Sequence, residues 1–367
     1  MSGLFFDVRM INDSGIGTYI RNILPPVSGI ADTTVLGRNR DGCFRNLMYR
    51  DFDYPVYSVR EQLAYYRLRK DLKAGFILFS PHYNIPVYPL SCKRVVTIHD
   101  VYHLAFLDDL SVGQKVYAKF MIRRAIAKSD KIITVSDFSK KEIIRYCNDC
   151  DPEKISVIRN GIRQRSKIEN LDEIRFRYGL PEKYLLFVGN VKPHKNLKRF
   201  LKAYLLLDNS IKDKYKIVVV GKKSGFITGD PLLHKQVAED RVLSSNIIFT
   251  GFVAEEDMDT IYGHASLFVF PSLYEGFGFP PLEAMVNGCP VVVSDTASLP
   301  EVCGEAALYF NPYDVYDIRD KIDRVLKDHD LREKLIEKGR DRVRKFTWEA
   351  SSRKHVELLR SLIRDEV

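Results

Sequence analysis

The chain of 367 residues has no apolar run near the roughly 18 residues that crossing a bilayer requires. Its opening, MSGLFFDVRM, lacks the basic, long-apolar, small-residue order of a secretory leader, so cytoplasmic residence is predicted. Cysteine is sparse: of six, only Cys147 and Cys150 lie close together, with no second pair or histidine at zinc spacing. That excludes a disulfide scaffold and a structural zinc site. No Gly-x-Ser-x-Gly elbow is present, which argues against a covalent serine nucleophile. Asp-x-Asp spacings begin at Asp51, Asp149, Asp257 and Asp328, but none follows a strand end beside other candidate groups, so no metal is predicted. Neither zinc-finger spacing nor an RNA-binding aromatic signature accompanies the net charge of +9, so nucleic acid is not a predicted partner. The cations suit phosphate-bearing substrates or an anionic membrane surface instead.

What is present is enough for two cores: 45% of the residues are hydrophobic, and a chain of this length exceeds what one core usually serves. Short apolar runs alternate with helical periodicity throughout, which predicts an α/β protein with parallel sheets. The alternation divides into a first domain, 1–165, a second, 173–345, and a last helical segment, 346–367, whose helix is expected over Glu349–Arg364. The polar stretch from Arg163 to Asp172 reads as the linker. A basic amphipathic helix is expected over residues 57–73, where Arg60, Arg67, Arg69, Lys70 and Lys73 share a polar face. Such a face, with its tyrosines, fits an anionic membrane or acceptor.

The most informative stretch is Phe270 to Asp295, FPSLYEGFGFPPLEAMVNGCPVVVSD. Gly276 and Gly278 permit a tight turn, Pro280 and Pro281 fit a first helical turn, and Val291–Val293 read as a buried strand. The amides of Phe277 to Phe279 and the helix start favour an anion such as a diphosphate. Glu283, expected in a first helical turn, can accept hydrogen bonds from ribose hydroxyls, and Glu275 from a sugar. Further candidates follow other strands. Gly15 and Gly17 sit in a polar turn, Asn12 to Gly17, placed before a helix. His82, Asn84, His99 and Asp100 fall just past strand ends, where doubly wound sheets bind ligands. After the strand at Tyr184, the loop NVKPHKN crowds Lys192, Lys195, Lys198 and Arg199 at a helix start, a second anion site.

Glu275 and Glu283, with seven residues between them in PSLYEGFGFPPLEAMVNGCPVV, resemble the paired-glutamate signature of glycosyltransferase family 4. The resemblance implies a GT-B architecture: two Rossmann-like doubly wound domains facing a central cleft, the first on the acceptor side and the second on the donor side, with the last helix crossing back. It implies a nucleotide-sugar donor held by Gly15, Gly17, Asn190, Lys195, Glu275, Gly276, Phe277, Gly278, Phe279 and Glu283. His99, Glu275 and Lys195 take the catalytic roles. The family often places arginine directly after the glycine of the second anion loop; here that place is Asn190, and Lys192 is the substitute. The implied reaction retains anomeric configuration and needs no metal or other cofactor. The diphosphate leaving group accepts the acceptor's proton. The acceptor is a glycan or lipid-linked saccharide of a surface polysaccharide, and GDP-mannose is the first donor guess by overall similarity. The alternatives are a nucleotide-sugar epimerase of related architecture and a non-catalytic nucleotide-sugar-binding protein. A dinucleotide-dependent oxidoreductase is disfavoured by the missing third glycine after Gly15 and Gly17.

Overall fold

The computed structural model describes residues 3–38, 44, 46–107, 111–148, 150–164, 170–221 and 231–364, so part of the expected linker lies outside the described residues. The chain forms two compact units, one of residues 1–161 with 346–367 and one of residues 162–345.

The first unit is built on β1 (Gly3–Asp7), β2 (Asp32–Leu36), β3 (Met48–Arg50), β4 (Phe76–Ser80), β5 (Lys93–Thr97), β6 (Lys131–Thr134) and β7 (Ile155–Val157). They form one sheet in the order β3-β2-β1-β4-β5-β6-β7, parallel throughout. Parallel neighbours need a crossover over a sheet face, so both faces are covered and the strands are apolar without strict alternation. Successive side chains still point to opposite faces. Leu4 and Phe6 pack with Ile77, Phe79 and the helix Ser14–Ser28, whereas Phe5 and Leu78 pack with the helix Val59–Leu68. Burying a side chain such as Phe6 completely is worth about 1.5–3 kcal/mol. The final helix, Trp348–Arg364, belongs to this unit and sets Leu359 and Leu362 into the Leu4–Phe6 cluster. Tyr19 binds it to the sheet: its hydroxyl lies 2.7 Å from both His355 Nε2 and Thr97 Oγ1. Gly161 permits the crossing, because a Cβ there would lie 2.1 Å from the Trp348 amide nitrogen.

The second unit repeats the plan with β8 (Tyr184–Val188), β9 (Lys216–Val220), β10 (Ile247–Gly251), β11 (Leu267–Phe270), β12 (Val291–Ser294) and β13 (Leu308–Phe310). Its order is β10-β9-β8-β11-β12-β13, again parallel. Leu185, Phe187, Val219 and Val269 pack with the helices Leu197–Leu205 and Val315–Lys327. In each sheet the winding reverses direction at one place, between β1 and β4 and between β8 and β11. Loops leaving the carboxyl ends of those strands splay apart, which is where open α/β sheets bind ligands.

Several local expectations change. The helix expected over 57–73 spans only Val59–Leu68, because Tyr57 takes a left-handed φ of 69° and Ser58 caps the first turn by accepting from the Glu61 amide. The strand expected over 155–162 ends at Val157. The final helix starts at Trp348 rather than Glu349. No described helix is long and apolar enough to cross a membrane.

Candidate active site

In the second unit, two loops at the β8/β11 reversal are tied together by hydrogen bonds. After β8 the chain makes a tight turn at Pro193–Lys195 and passes through Asn196 in a left-handed conformation, φ 58°. The Asn196 side-chain amide donates to the carbonyls of Pro271 (3.0 Å) and Pro312 (2.8 Å), and the Leu273 amide donates to the His194 carbonyl at 2.7 Å. Lys195 is thereby carried to the end of β11, where its Nζ lies 2.5 Å from Glu275 Oε1 and 5.4 Å from the centre of the Phe270 ring. The pair is 18% and 14% exposed, so it is partly dehydrated yet reachable from solvent. A hydrogen-bonded ion pair of this kind holds both groups in a fixed alignment.

The turn after Glu275 is fixed by Ser298, whose hydroxyl is 2.9 Å from the Glu275 carbonyl and 2.8 Å from that of Phe277. Gly278 takes φ 103°, a conformation that a side chain would strain, and opens the helix Phe279–Val286 with two prolines in its first turn. Glu283 is the fifth residue of that helix and therefore lies in its second turn, not its first. From there its Oε2 accepts a 2.7 Å bond from the Tyr262 hydroxyl. Burial raises the Glu283 carboxyl above its ordinary value, with the Tyr262 hydrogen bond opposing; burial and the Glu283 charge push the Tyr262 phenol up. The same helix end is anchored by Asn287, which donates to Asp259 Oδ1 at 3.0 Å, and Asp259 in turn pairs with Arg163 at 3.3 Å.

Of the four cations expected to crowd the loop after β8, Lys192, Lys198 and Arg199 share one recess and Lys195 is set apart from them. Lys195 turns to Glu275, while Arg199 donates to Asn196 Oδ1 at 2.9 Å and stacks 5.3 Å from the Tyr313 ring. Lys202 also lines that recess, whose volume is about 310 Å³. Asn190 bonds through its carbonyl to the Lys192 amide.

The remaining candidates belong to the first unit. Gly15 and Gly17 are already helical, since the helix begins at Ser14 instead of after Gly17. Gly17 is required by close approach, because a Cβ would lie 2.1 Å from the Ile11 carbonyl oxygen. His99 follows β5, with Nε2 2.9 Å from the Pro81 carbonyl and the Tyr19 ring edge-on at 5.0 Å. Burial lowers its pKa, so at neutral pH the imidazole is uncharged, with the proton on Nε2 for Pro81 and Nδ1 left as an acceptor.

Two family models match, "Glycosyltransferase Family 4" over residues 35–164 and "Glycosyl transferases group 1" over residues 170–342. O-antigen chain mannosyltransferase B of Escherichia coli is 32% identical over 301 residues, covering 81% of this chain and 76% of its own. The chain belongs to glycosyltransferase family 4. The serotype-specific mannosyltransferase WbdA of Escherichia coli is 31% identical over 274 residues, 72% of this chain, but the family 4 chain spans only about a third (33%) of WbdA's length. Among solved structures, Anabaena HepE in complex with UDP-glucose superposes with a TM-score of 0.76 at 16% identity, covering 98% of this chain and 100% of HepE. The two sheets are thus the Rossmann-like domains of a GT-B fold.

Two features of this family 4 member were missed by motif reasoning. Tyr262, the partner of Glu283, lies in a helix upstream of β11, and only the parallel crossover brings it to the later helix. In the first unit a buried charge network joins β1 to the helix Val59–Leu68. Arg9 pairs with Asp7 and Glu61, each at 2.5 Å, all three nearly fully buried. The Arg9–Glu61 contact is an ion pair without hydrogen-bond alignment. Arg9 holds the Asp7 carboxyl far below its ordinary range against the opposing effect of burial. Asp7 also accepts from the Tyr65 hydroxyl at 3.1 Å. A run of buried side chains with such partners carries no signature in a sequence where Glu61 looks like one more helix-surface charge.

Proposed function

We propose that the chain is a retaining, metal-independent hexosyltransferase. It moves a sugar from a nucleotide diphosphate to a glycan or lipid-linked saccharide during assembly of a surface polysaccharide, and mannose from GDP-mannose is the first donor to test. The observation that carries this reading is the Lys195–Glu275 pair at the β8/β11 reversal, one turn of chain before the helix that bears Glu283. On donor binding, Lys195 is shared between Glu275 and the diphosphate, and the helix start adds positive partial charge towards the phosphates. As the glycosidic bond breaks, negative charge grows on the leaving diphosphate, and these donors stabilise it. Glu275 takes sugar hydroxyls, and Glu283, held by Tyr262, takes those of the ribose. His99, uncharged, serves as a hydrogen-bond partner for a hydroxyl and not as a counter-charge for phosphate. The leaving diphosphate accepts the acceptor hydroxyl's proton.

The O-antigen mannosyltransferases among the relatives support the surface-polysaccharide reading, and an exposed helix face supports contact with an anionic membrane on the cytoplasmic side. The helix Val112–Lys128 contains Lys115, Lys119, Arg123, Arg124 and Lys128 and no acidic residue, while Val112, Val116 and Phe120 stand exposed at four-residue spacing. An apolar stripe among cations suits a negatively charged lipid interface. Sedimentation with phosphatidylglycerol vesicles that Phe120→Asp does not reduce would remove this part.

The main test is thermal unfolding of the wild type and Glu283→Ala with GDP, UDP, ADP, dTDP and NAD. A ligand at about 100 times its dissociation constant stabilises by roughly 2.7 kcal/mol. The expected result is a raised midpoint with one nucleoside diphosphate in the wild type and not in the variant. A response to NAD alone, or to none, overturns the reading. Loss of transfer on EDTA treatment that magnesium restores would overturn metal independence.

A further inference from the structure

The buried network of the first unit ends in a cluster of tyrosines that the donor chemistry does not use. Tyr57 is strained: among the described residues the non-glycine positions with left-handed φ are Tyr57, Asn196 and Ala297, and only Tyr57 is bulky. The strain is held in place. Its amide donates to Glu61 Oε2 at 3.1 Å, and Glu61 is fully buried against Arg9. The other groups on this carboxylate lead back to the same surface: Asn84 Nδ2 donates to Glu61 Oε2, and Asn84 Oδ1 accepts a 2.9 Å bond from the Tyr117 hydroxyl. One buried charge thus fixes the Tyr57 backbone directly and the Tyr117 ring through Asn84.

The result is an aromatic surface on loops that leave β4 and β5 and on two helix starts. Tyr57 is 42% exposed as a residue. Tyr83 stacks on it with centroids 5.8 Å apart and planes at 29°, and Tyr117 meets it edge-on at 5.9 Å. Tyr83 meets His103 edge-on at 6.1 Å. Asp13 and Asp100 lie close enough for their charges to raise the Tyr57 phenol further, after burial, the dominant cause. Arg9, the cation of the network, is buried and committed to two carboxylates, so it offers nothing to an anion.

A half-exposed tyrosine face with carboxylates beside it suits a ligand with an apolar face of C–H groups and a rim of hydroxyls. The charges of Asp13 and Asp100 disfavour an anionic ligand there. We propose that this cluster is a subsite for an uncharged saccharide unit of the acceptor, its ring stacked on Tyr57 and its hydroxyls taken by Asp100 and Asp13. The proposal rests on the glycosyl-transfer reading for the word acceptor, and its saccharide chemistry stands on the geometry alone. The strained backbone is then the means of presenting the ring, as expected where a fold gives up stability to pre-organise a site.

The decisive variant is Tyr57→Gly, because glycine accepts the left-handed conformation without strain and removes only the ring. Saturation-transfer NMR would follow methyl α-mannoside, methyl α-glucoside, methyl α-glucuronide and choline on the wild type, Tyr57→Gly and Tyr83→Leu, with GDP and UDP binding measured on the same samples. The expected outcome is binding of a neutral hexoside that weakens about tenfold or more in Tyr57→Gly, a melting temperature unchanged or raised, and nucleotide affinity unchanged; a tenfold loss corresponds to about 1.4 kcal/mol. In transfer assays the same variant raises the acceptor KM and leaves the donor KM alone. Hexoside binding that survives in both variants overturns the proposal. So does preference for the glucuronide, or occupation by choline in place of hexosides. Nucleotide binding without any hexoside binding overturns the subsite and spares the transferase reading. Tyr57-dependent hexoside binding without nucleotide binding does the reverse.

Discussion

The two reversal points of the molecule are built alike and organised oppositely. At β8/β11 the candidate groups Glu275 to Glu283 lie within one short stretch, on a turn and the helix it opens, and the ion pair beside them stays accessible. At β1/β4 the groups come from positions as far apart as Asp7, Glu61 and Tyr117, and the ion pairs are sealed inside. The difference separates two uses of charge. An accessible pair can exchange partners when a ligand arrives, so it serves binding. A sealed network cannot, so it serves shape and presents neutral groups at the surface.

The contrast is sharpest for Glu61. Glu61→Ala leaves Arg9 buried with one of its two carboxylates gone and should cost about 3–5 kcal/mol of stability, measured by urea unfolding. A loss below 1 kcal/mol would mean that the network is not sealed. Next in size is the pH response of the first unit. Burial lowers His355 to about 4 from 6.5, so the unfolded chain binds the extra proton first as pH falls. The stability gained by burying a neutral imidazole is therefore complete above about pH 6.5 and lost progressively down to about pH 4, roughly 3 kcal/mol in all. Comparing unfolding of the wild type and His355→Leu across that window isolates this share; parallel pH curves would refute it. Smallest in stability, and placed in binding instead, is Lys195→Ala. It should change the urea midpoint little, as a partly exposed pair contributes about 0–1 kcal/mol. It should cost about 1.5–3 kcal/mol of GDP or UDP binding by calorimetry. Unchanged nucleotide affinity would end the distinction between the two reversal points.

The fold was legible because parallel strands buried on both faces leave apolar runs such as YLLFV and VVVS between helical stretches. The Glu275–Glu283 element was legible because glycine and proline mark its turn and helix start locally. What escaped depends on particular bonds that residue types do not announce. The helix after β1 begins at Ser14 because the loop from β1 is closed by its own backbone bonds, Ile11 to Val8 and Asp13 to Met10, before Gly15 is reached. The helix after Tyr57 starts late because Glu61, four residues on, takes the Tyr57 amide. Tyr262 reads as core until the crossover sets it against Glu283. The first two deciding bonds are local but follow no residue-type signature, and the third is set by tertiary pairing, which local propensity does not encode.

The return of the last helix to the first sheet has a consequence for synthesis. A chain made from its amino end usually completes its domains in that order. Here residues 162–345 are contiguous and can close as soon as they emerge, while the first unit waits for Trp348–Arg364 to cover Tyr19 and its neighbours. The first unit is begun before the second and completed after it, and until Trp348–Arg364 has emerged its sheet carries an uncovered apolar face.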